Sequence, residues 1–443
     1  MSKTVDQAIP NIPEHKGPRI VIVGAGFAGL KLARKLRKSP FQVILLDKNN
    51  YHQFQPLFYQ VATSGLEPSA ISFPLRKVFH AAQNVIFRMA SAKRVDQKAR
   101  RLYTHVGYID YDFLVLAMGA DTNYFGMKNI EKYSSPMKSV SEALYIRNKI
   151  IQNYETAINT SDISYRKAMM NVVIVGGGPT GVELAGAVAE LRNNVFPRDY
   201  PELSFANMRV VLIEAGPDLL ASMSSPAKRK ARSYLEKLGV EVLVNTRVID
   251  YDGQEVTLHQ GNRIATHSLL WAAGIKPNQL SGILEEQLHP TGRYLVDSYN
   301  RVKGNESLFA LGDSCLMIDD HHIKGHPQVA QVALQQAENL AKNLLKNGAW
   351  RPFRYKDLGS MATIGRKLAV VDLPFIRFQG FLAWITWLFV HLMAILGVKN
   401  KLFIFMDWAW NYLAFDPSLR LLIRPVRKKD PSVMQKENRQ NRF

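Results

Sequence analysis

The segment HPQVAQVALQQ, residues 326–336, places a row of uncharged amides among apolar side chains. With Pro327 at the first position of a helix, Gln328, Gln331 and Gln335 are spaced at i, i+3 and i+7 and share one stripe of its surface. Amides can donate to a neutral carbonyl oxygen in an apolar slot, where a lysine or arginine would carry a costly desolvated charge. The alternative is that these glutamines only cover a solvated helix face.

A second group of residues with chemical potential is the glycine motif Gly24-x-Gly26-x-x-Gly29. It joins the apolar segment RIVIV to the helical segment FAGLKLARKL, and the next apolar segment ends at Asp47. Glycines at this spacing let a pyrophosphate approach the N–H groups of a helix N-terminus, and the acidic residue can accept from a ribose hydroxyl. The motif predicts a bound dinucleotide, and a glycine turn without a ligand is the alternative.

The same pattern recurs with Gly176-x-Gly178-x-x-Gly181, and Glu214 ends the strand segment that follows. An internal repeat of this kind indicates two nucleotide-binding domains. Because an acidic side chain accepts from a free 2′-hydroxyl and repels a 2′-phosphate, Glu214 favours NADH over NADPH. Two dinucleotide sites on one chain suggest hydride transfer between a nicotinamide and a flavin.

Composition limits the remaining chemistry. The 443 residues exceed the roughly 250–300 at which a single core stops growing, so two or more domains are expected. The only cysteine, Cys315, excludes internal disulfides, thiol-pair redox chemistry and four-cysteine metal sites; we expect a small buried residue and predict no metal site. A net charge of +20 implies an anionic partner, for which a nucleotide cofactor or an acidic bilayer is favoured over nucleic acid.

The chain changes character near Leu373–Pro374, where we place a domain boundary. Residues 380–398 carry no charge and would extend about 28 Å as a helix, close to the hydrocarbon thickness of a bilayer. A single spanning helix is one alternative. A second apolar, aromatic segment follows at once, at residues 401–415, which favours an anchor lying at the membrane surface. The basic residues expected to meet anionic head groups are Arg424, Arg427, Lys428 and Lys429.

Longer segments of the chain resemble one family of flavoproteins. These segments are DKNNYHQFQPLFYQVATSGLEPSAISFPLR, GGGPTGVELAGAVAEL, LLWAAGI, ALGDS, AQVALQQAENLAKNL and RYKDLGSMATIGRKLAVVDL. Together they resemble the type II NADH dehydrogenases, which are single-subunit NADH:quinone oxidoreductases. The resemblance implies an α/β fold with two Rossmann-like domains of the glutathione-reductase type. The expected division is a flexible leader at 1–17, an FAD-binding domain at 18–135 and 286–373, an NADH-binding domain at 136–285, and a helical membrane anchor at 374–443.

The resemblance also implies which residues contact each cofactor. The expected FAD residues are Gly24, Ala25, Gly26, Phe27, Ala28, Gly29, Asp47, Lys48, Asn49, Ala92, Gly119, Asp313, Ala330 and Gln331. The expected NADH residues are Gly176, Gly178, Pro179, Thr180, Gly181, Glu183, Glu214, Ala273 and Gly274.

Three residues are the expected catalytic group. In the resembling family the AQxAxQ pattern lies where the flavin ring meets quinone, which assigns Gln331 and Gln335 to that contact. The glutamate of the GVE motif, here Glu183, faces the nicotinamide and the flavin, which suggests substrate positioning or proton delivery. A purely structural role for Glu183 in the first turn of a helix, where the dipole favours an anion, is the alternative.

The resulting prediction is an FAD-dependent enzyme that passes electrons from NADH to menaquinone or ubiquinone without pumping protons. We expect a homodimer bound at the cytoplasmic face of the inner membrane. One alternative is a membrane-associated flavin reductase of a protein acceptor. Another is a flavoprotein that senses NADH and turns over slowly.

Overall fold

The computed structural model describes residues 7–346, 348–414 and 419–422. Its α-helices are α1 (Phe27–Leu36), α2 (Phe58–Ala62), α3 (Leu75–Phe79), α4 (Lys128–Tyr133), α5 (Val140–Ile158), α6 (Ile163–Met170), α7 (Pro179–Asn194), α8 (Phe196–Asp199), α9 (Ser225–Lys237), α10 (Ala330–Leu344), α11 (Phe381–Ala394) and α12 (Val398–Ala414).

The strands of the first half are β1 (Arg19–Val23), β2 (Gln42–Asp47), β3 (Tyr51–Gln53), β4 (Ser72–Pro74), β5 (Val85–Met89), β6 (Ala92–Asp96), β7 (Arg101–Thr104), β8 (Gly107–Asp110), β9 (Phe113–Leu116), β10 (Ala120–Thr122), β11 (Ser135–Pro136), β12 (Val172–Val175) and β13 (Val210–Ile213). Those of the second half are β14 (Val240–Leu243), β15 (Val248–Tyr251), β16 (Glu255–Leu258), β17 (Arg263–Ala265), β18 (Ser268–Trp271), β19 (Ile275–Pro277), β20 (Tyr294–Leu295), β21 (Leu308–Ala310), β22 (Cys315–Leu316), β23 (Ser360–Thr363), β24 (Ala369–Asp372) and β25 (Arg377–Gly380).

The first glycine motif follows the central strand of a parallel five-stranded sheet with the order β21-β9-β1-β2-β5. Ile20 and Ile22 of β1 point to a core shared with α1 and α10, whereas Val21 and Val23 point to a core shared with β7 and β8. Because both faces of β1 are covered, its residues form the continuous apolar run expected of a buried parallel strand.

The second glycine motif follows the central strand of another parallel five-stranded sheet, ordered β11-β18-β12-β13-β14. Val172 and Ile174 of β12 pack in one core with α5 and α7, and Val173 and Val175 pack against β15 and β16 on the other face. The two halves therefore repeat one α/β architecture, which confirms the predicted fold class.

A two-stranded antiparallel ribbon links the two halves, with Thr122 of β10 opposite Ile275 of β19. Directly after this ribbon, the N–H of Val95 donates to the carbonyl of Ser281 at 2.8 Å. The chain therefore contacts the first half again before residue 286, which is where the sequence predicted that the FAD-binding domain resumes. The leader predicted to be flexible, residues 1–17, also packs against the protein at Ile9, which is buried and donates through its N–H to the carbonyl of Tyr108.

The C-terminal region begins with an antiparallel sheet, β23-β24-β25, rather than with a helix. Asp372 of β24 lies opposite Arg377 of β25, so the boundary expected near Leu373–Pro374 falls in the turn between two paired strands. The helix expected over 380–398 is shorter than predicted. It ends at Ala394 because Ile395 adopts an extended conformation, and α12 begins at Val398.

The two last helices have unequal faces. Ala383, Trp387 and Ile404 are buried against the body of the protein. The opposite faces carry large exposed apolar side chains, among them Leu382, Phe389, Met393, Leu402, Phe403, Phe405, Met406, Trp410 and Leu413. Within the described ranges, no helix combines the length and the apolar character needed to cross a membrane. The basic residues from Arg424 to Lys429 lie outside the described residues.

Candidate active site

The first glycine loop leaves room for a ligand at one position and packs tightly at another. A Cβ added to Gly26 would meet no atom within 4 Å, whereas one added to Gly29 would lie 1.8 Å from the carbonyl oxygen of Gly24. Asp47 holds the loop, because its carboxylate accepts from the N–H of Ala25 and of Asn49, both at 2.7 Å. Burial raises the pKa of Asp47, and these two hydrogen bonds oppose the shift.

A buried histidine supports the same loop from below. The Nδ1 atom of His52 lies 2.8 Å from the carbonyl oxygen of Ala25, and its ring packs edge-on against Phe27 at 5.6 Å. Burial lowers the pKa of His52, so a neutral ring that donates through Nδ1–H fits this contact. Although His52 lies in one of the resembling segments, the sequence analysis did not select it.

Five other predicted FAD residues lie within three residues after the carboxyl ends of strands in the first sheet, whereas Ala330 and Gln331 begin α10. This edge is where ligands bind in open parallel sheets. Lys48 and Asn49 follow β2, Ala92 follows β5, Gly119 follows β9, and Asp313 follows β21. The structure thus brings residues that are up to almost three hundred positions apart to one edge of the sheet. Burial raises the pKa of Asp313.

The second glycine loop repeats the construction of the first. A Cβ added to Gly181 would lie 1.9 Å from the carbonyl oxygen of Gly176, and one added to Gly178 would meet nothing within 4 Å. Glu214 accepts from the N–H of Gly177 and of Gly216, both at 2.6 Å. Pro179 and Thr180 are exposed at the first turn of α7. Ala273 and Gly274 follow β18, which is the neighbour of β12 in the sheet.

Glu183 is buried where four elements meet. It is the fifth residue of α7, so the expectation that it lies in the first turn is wrong. Only 7% of its surface is exposed, and the N–H of Thr363 on β23 points at its Oε1 from 3.4 Å. Burial raises the pKa of Glu183 to about 8, while the contacts with Thr363 and with the indole of Trp387 act in the opposite direction. The indole N–H does not reach full hydrogen-bond geometry. The carboxyl group is therefore protonated at neutral pH.

Tyr59 of α2 and the C-terminal helix α11 help to enclose Glu183. Tyr59 is buried, and burial followed by the charge of Glu183 raises its pKa well above the usual range. Its hydroxyl accepts from Nε2 of Gln60 at 2.8 Å, and Oε1 of Gln60 accepts from the indole N–H of Trp408 at 2.8 Å. A continuous polar chain therefore links α12 to the surroundings of Glu183.

An aromatic row connects this enclosure to the first glycine loop. Phe27 packs edge-on against Phe54 at 5.9 Å, and Phe54 against His391 at 6.4 Å. His391 stacks on Trp387 with ring centroids 4.0 Å apart. Burial lowers the pKa of His391 to about 4, so the ring is neutral near pH 7. Together these contacts place α11 over the region between the two predicted cofactor sites.

The glutamine helix begins later than the sequence suggested. Its first residue is Ala330, and Val329 is the extended residue that precedes it, so the prediction of Pro327 at the first helical position is wrong. The N–H of Val329 donates instead to the carbonyl of Pro327, which closes a turn ahead of the helix. Gln328 consequently lies outside the stripe, and its Nε2 donates to the carbonyl of Asp313 at 2.8 Å.

Gln331 and Gln335 share one face of α10, and both contact the backbone of the irregular segment 356–359 that leads to β23. Gln331 donates to the carbonyl of Gly359 and accepts from the N–H of Leu358. Gln335 donates to the carbonyl of Lys356 and accepts from the N–H of the same residue. A primary amide has two N–H donors and two acceptor lone pairs, so each side chain retains one N–H and one lone pair for further partners.

Comparison with known proteins supports the resemblance on which the site was predicted. The pyridine nucleotide-disulphide oxidoreductase family matches residues 18–337, and the NDH2 C-terminal domain matches residues 358–414. The type II NADH:quinone oxidoreductase Ndh of Mycobacterium tuberculosis is 33% identical over 426 residues, which cover 92% of this chain and 91% of that protein. The chain belongs to the type II NADH dehydrogenases.

Other relatives of this type II NADH dehydrogenase extend the comparison. The external NADH-ubiquinone oxidoreductase 2 of Saccharomyces cerevisiae is 27% identical and aligns with 90% of this chain and 81% of its own length. The structure of NDH2 from Plasmodium falciparum in complex with NADH superposes with a TM-score of 0.85 at 21% identity, covering 92% of this chain and all of that one. The structural likeness shows that the fold is shared.

One buried glutamine in this type II NADH dehydrogenase escaped the sequence analysis. Gln336 is fully buried, and its Oε1 accepts from the N–H of Gly312, directly before Asp313. The Cys315 thiol also donates to this oxygen, and burial raises the pKa of Cys315 to about 11. Cys315 is thus a buried, protonated thiol, as expected from the sequence. The available signal for Gln336 was its place one residue after Gln335, on the face that turns inward.

Proposed function

We propose that this type II NADH dehydrogenase is an FAD-dependent enzyme that oxidises NADH and reduces a membrane quinone without pumping protons. The observation that carries the proposal is the pair of equivalent glycine loops on parallel sheets, with a buried, protonated Glu183 enclosed beside them. When FAD is bound, it accepts hydride from NADH and delivers the electrons to quinone. The residues of the chain orient the reactants, exclude water and supply a proton.

In this proposal the first loop binds FAD and the second binds NADH. Gly26 and Gly178 leave open space at the N-termini of α1 and α7, where unpaired N–H groups favour a pyrophosphate. Asp47 and Glu214 are held by backbone N–H groups, and in this proposal each also accepts from a ribose hydroxyl. Glu214 gives the site its preference for NADH.

Glu183 is the proposed proton donor on the quinone side. Its pKa of about 8 keeps the proton on the carboxyl group at neutral pH, and loss of that proton is accessible within one or two pH units. Burial beneath Trp387 and beside Tyr59 excludes bulk water from the group. Reprotonation would proceed through water.

Gln331 is the proposed hydrogen-bond donor to a quinone carbonyl, and Gln335 supports it. The two backbone bonds of Gln331 fix the plane of its amide while a second N–H remains for a ligand. Gln335 fixes the backbone of Lys356 and thereby the segment that contains Gly359. The sequence assigned both amides to the quinone contact without deciding between them, and this proposal gives the direct contact to Gln331.

An apolar groove between α11 and α12 favours a quinone over a protein acceptor. Its lining is almost entirely hydrocarbon and aromatic, which suits an isoprenoid tail or lipid acyl chains and offers few polar contacts to a protein. The residues that line it are Phe381, Trp384, Ile385, Leu388, Phe389, Leu392, Phe405, Trp408, Ala409, Tyr412 and Leu413. The quinone is menaquinone or ubiquinone.

Stopped-flow measurement of the two half-reactions tests the proposed quinone site. We expect Gln331→Ala to slow reoxidation of the reduced flavin by a short-chain quinone by roughly tenfold or more, as loss of one positioned donor does. Bleaching of the flavin by NADH should keep its normal rate. Asn339→Ala is the matched control, because Asn339 also donates to a backbone carbonyl from α10, that of Arg351, away from the site. Equal losses in both half-reactions of Gln331→Ala would contradict the assignment. Slow turnover of the unmodified protein with every quinone would favour the alternative of an NADH sensor.

The exposed faces of α11 and α12 are proposed to bind the surface of a bilayer. Leu382 is 72% exposed and Phe389 64%, and both point away from the protein. We expect Leu382→Gln combined with Phe389→Gln to reduce co-sedimentation with anionic lipid vesicles, whereas Ile163→Gln, at a residue that is 65% exposed elsewhere, should not. Unchanged sedimentation of the double variant would refute this surface. The homodimer and the cytoplasmic face of the inner membrane are proposed from the family resemblance alone.

A further inference from the structure

The loop between β22 and α10 contains a cluster of two histidines and one aspartate that the proposed reaction does not use. Nδ1 of His322 lies 2.9 Å from Oδ1 of Asp319, and Nε2 of His326 lies 2.8 Å from Oδ2 of the same carboxylate. One donor atom from each of the three residues lies within 4.8 Å of the others. The sequence analysis considered metal sites through cysteine only, so it passed over the spacing in DDHHIKGH.

The surrounding contacts hold these three side chains in place. His326 has 1% of its surface exposed; its N–H donates to the carbonyl of Met317, and its own carbonyl accepts from the guanidinium of Arg293. The carboxylate of Asp319 accepts from the N–H of His321 and of His322. The cluster is therefore organised by the backbone of its own loop before any ligand arrives.

One nitrogen of the buried histidine has no partner among the described residues. Nδ1 of His326 is fully buried, and the structure gives it no hydrogen bond there. With Nε2–H of a neutral ring donating to Asp319, the lone pair of Nδ1 has no partner in this environment. A dication between the rings and the carboxylate would displace the protons that Nε2 of His326 and Nδ1 of His322 donate to Asp319, and the remaining proton of His326 would lie on Nδ1. Buried imidazole nitrogens in that position are ligands that zinc-like ions prefer.

The ligand atoms must shift to accept such an ion. Ligand bonds of about 2.0–2.2 Å around a tetrahedral ion place the ligand atoms about 3.3–3.6 Å apart. The two ring nitrogens now contact different oxygens of Asp319, and the three ligand atoms lie within 4.8 Å of one another, so the side chains must turn toward one oxygen as well as lengthen their present hydrogen-bond distances. Asp319 and His322 are both partly exposed, so water can complete the coordination on the open side. Arg293 adds a repulsive charge nearby, but its guanidinium is directed at the carbonyls of Cys315 and His326.

We propose that Asp319, His322 and His326 bind a transition-metal dication of the zinc class through one carboxylate oxygen and two imidazole nitrogens. Binding would fix the loop that runs from Asp313, at the predicted flavin edge, to Gln328 and the start of α10. The ion is structural in this proposal, since it has no contact with the reacting atoms. The two-histidine, one-carboxylate set selects against Mg²⁺ and Ca²⁺, which prefer oxygen ligands.

The test uses tag-free, flavin-loaded protein and two probes, Zn²⁺ in calorimetry and Co²⁺ in visible absorbance. We expect one equivalent of Co²⁺ to produce a ligand-field spectrum that Zn²⁺ abolishes by competition. His322→Ala and Asp319→Asn should each weaken binding by at least about tenfold. His321→Ala is the matched control, because His321 is the exposed neighbour outside the cluster, and it should bind as the unmodified protein does.

A stability measurement separates loss of the site from loss of the fold. Zn²⁺ should raise the thermal midpoint of the unmodified protein and of His321→Ala, but not that of His322→Ala, while all variants keep their flavin absorbance. The proposal is overturned if the unmodified protein binds no equivalent of either metal. It is also overturned if His322→Ala and Asp319→Asn, with flavin retained, bind the metals as tightly as the unmodified protein.

Discussion

The two nucleotide-binding units share one backbone construction and differ at the second residue after the third glycine. In the first unit that residue is Lys31, whose Nζ lies 3.2 Å from Glu338 on α10, with both side chains about one-third exposed. In the second it is Glu183, which is buried and has its pKa raised to about 8 by that burial. The same glycine fingerprint thus precedes a solvated ion pair in one unit and an enclosed, protonated acid in the other.

The difference arises from what packs on each helix. Helix α1 packs against α10, and its exposed edge carries lysines that pair with a carboxylate. Helix α7 packs against β23 and α11, which come from the C-terminal region and enclose Glu183. The glycine loop is therefore formed by residues close together in the sequence. The ionisation of the side chain beside it depends on an element from a distant part of the chain.

The largest expected effects come from the two glycines that pack against their own loops. Gly29→Ala would bring Cβ to 1.8 Å from the carbonyl oxygen of Gly24, and Gly181→Ala would do the same at Gly176. Backbone atoms cannot yield as a flexible side chain can, so each loop must deform. We expect Gly29→Ala to be purified with little or no flavin, and Gly181→Ala to retain flavin but to lose most of its affinity for NADH. Flavin absorbance per protein and the KM for NADH measure the two outcomes. If Gly181→Ala lost flavin and Gly29→Ala lost affinity for NADH instead, the assignment of the cofactors to the loops would be reversed.

The next prediction concerns stability against pH at the residue where the units differ. The pKa of Glu183 is higher in the folded protein than the ordinary 4.5. The stability that the protonated group contributes to the folded protein is therefore complete below about pH 4.5 and is lost as the pH rises to about 8. Glu183→Gln does not titrate and should lose less stability between about pH 5 and 8. The difference has an upper limit of roughly 3–5 kcal/mol, at about 1.4 kcal/mol per pKa unit. Denaturant midpoints of both proteins at the two pH values provide the measurement, and parallel losses would show that Glu183 is not the titrating group.

The sequence predicted the parts of the site that are built from neighbouring residues. The glycine loops and Asp47 or Glu214 belong to single βαβ units, so spacing alone identified them. The burial of Glu183 depends on Thr363 and Trp387, which no local pattern connects to it. The start of α10 was misplaced because proline at a first helical position is only a preference, and here the turn from Pro327 to Val329 competes with it.

A smaller effect is expected from the acidic residues that are equivalent in the two units. Glu214→Ala removes the acceptor for the N–H groups of Gly177 and Gly216 and the proposed acceptor for the ribose hydroxyl. We expect the preference for NADH over NADPH to fall about tenfold, which corresponds to about 1.4 kcal/mol, measured as the ratio of kcat/KM values. Asp47→Ala should leave this ratio unchanged, because it acts on the other loop. An unchanged ratio in Glu214→Ala would remove this residue from the ribose site.

The smallest effect is expected at Lys31, the counterpart of Glu183. Lys31→Met keeps the length of the side chain but removes its ion pair with Glu338, which Lys35 also contacts. A partly exposed pair of this kind contributes less than about 1 kcal/mol, and the contribution is screened by salt. We therefore expect nearly normal stability and the same pH dependence between pH 5 and 8 as the unmodified protein, measured by the same denaturant midpoints. If Lys31→Met instead flattened that pH dependence as Glu183→Gln does, the titration would belong to the general charge balance of the protein, and the proposed distinction between the two helix starts would fail.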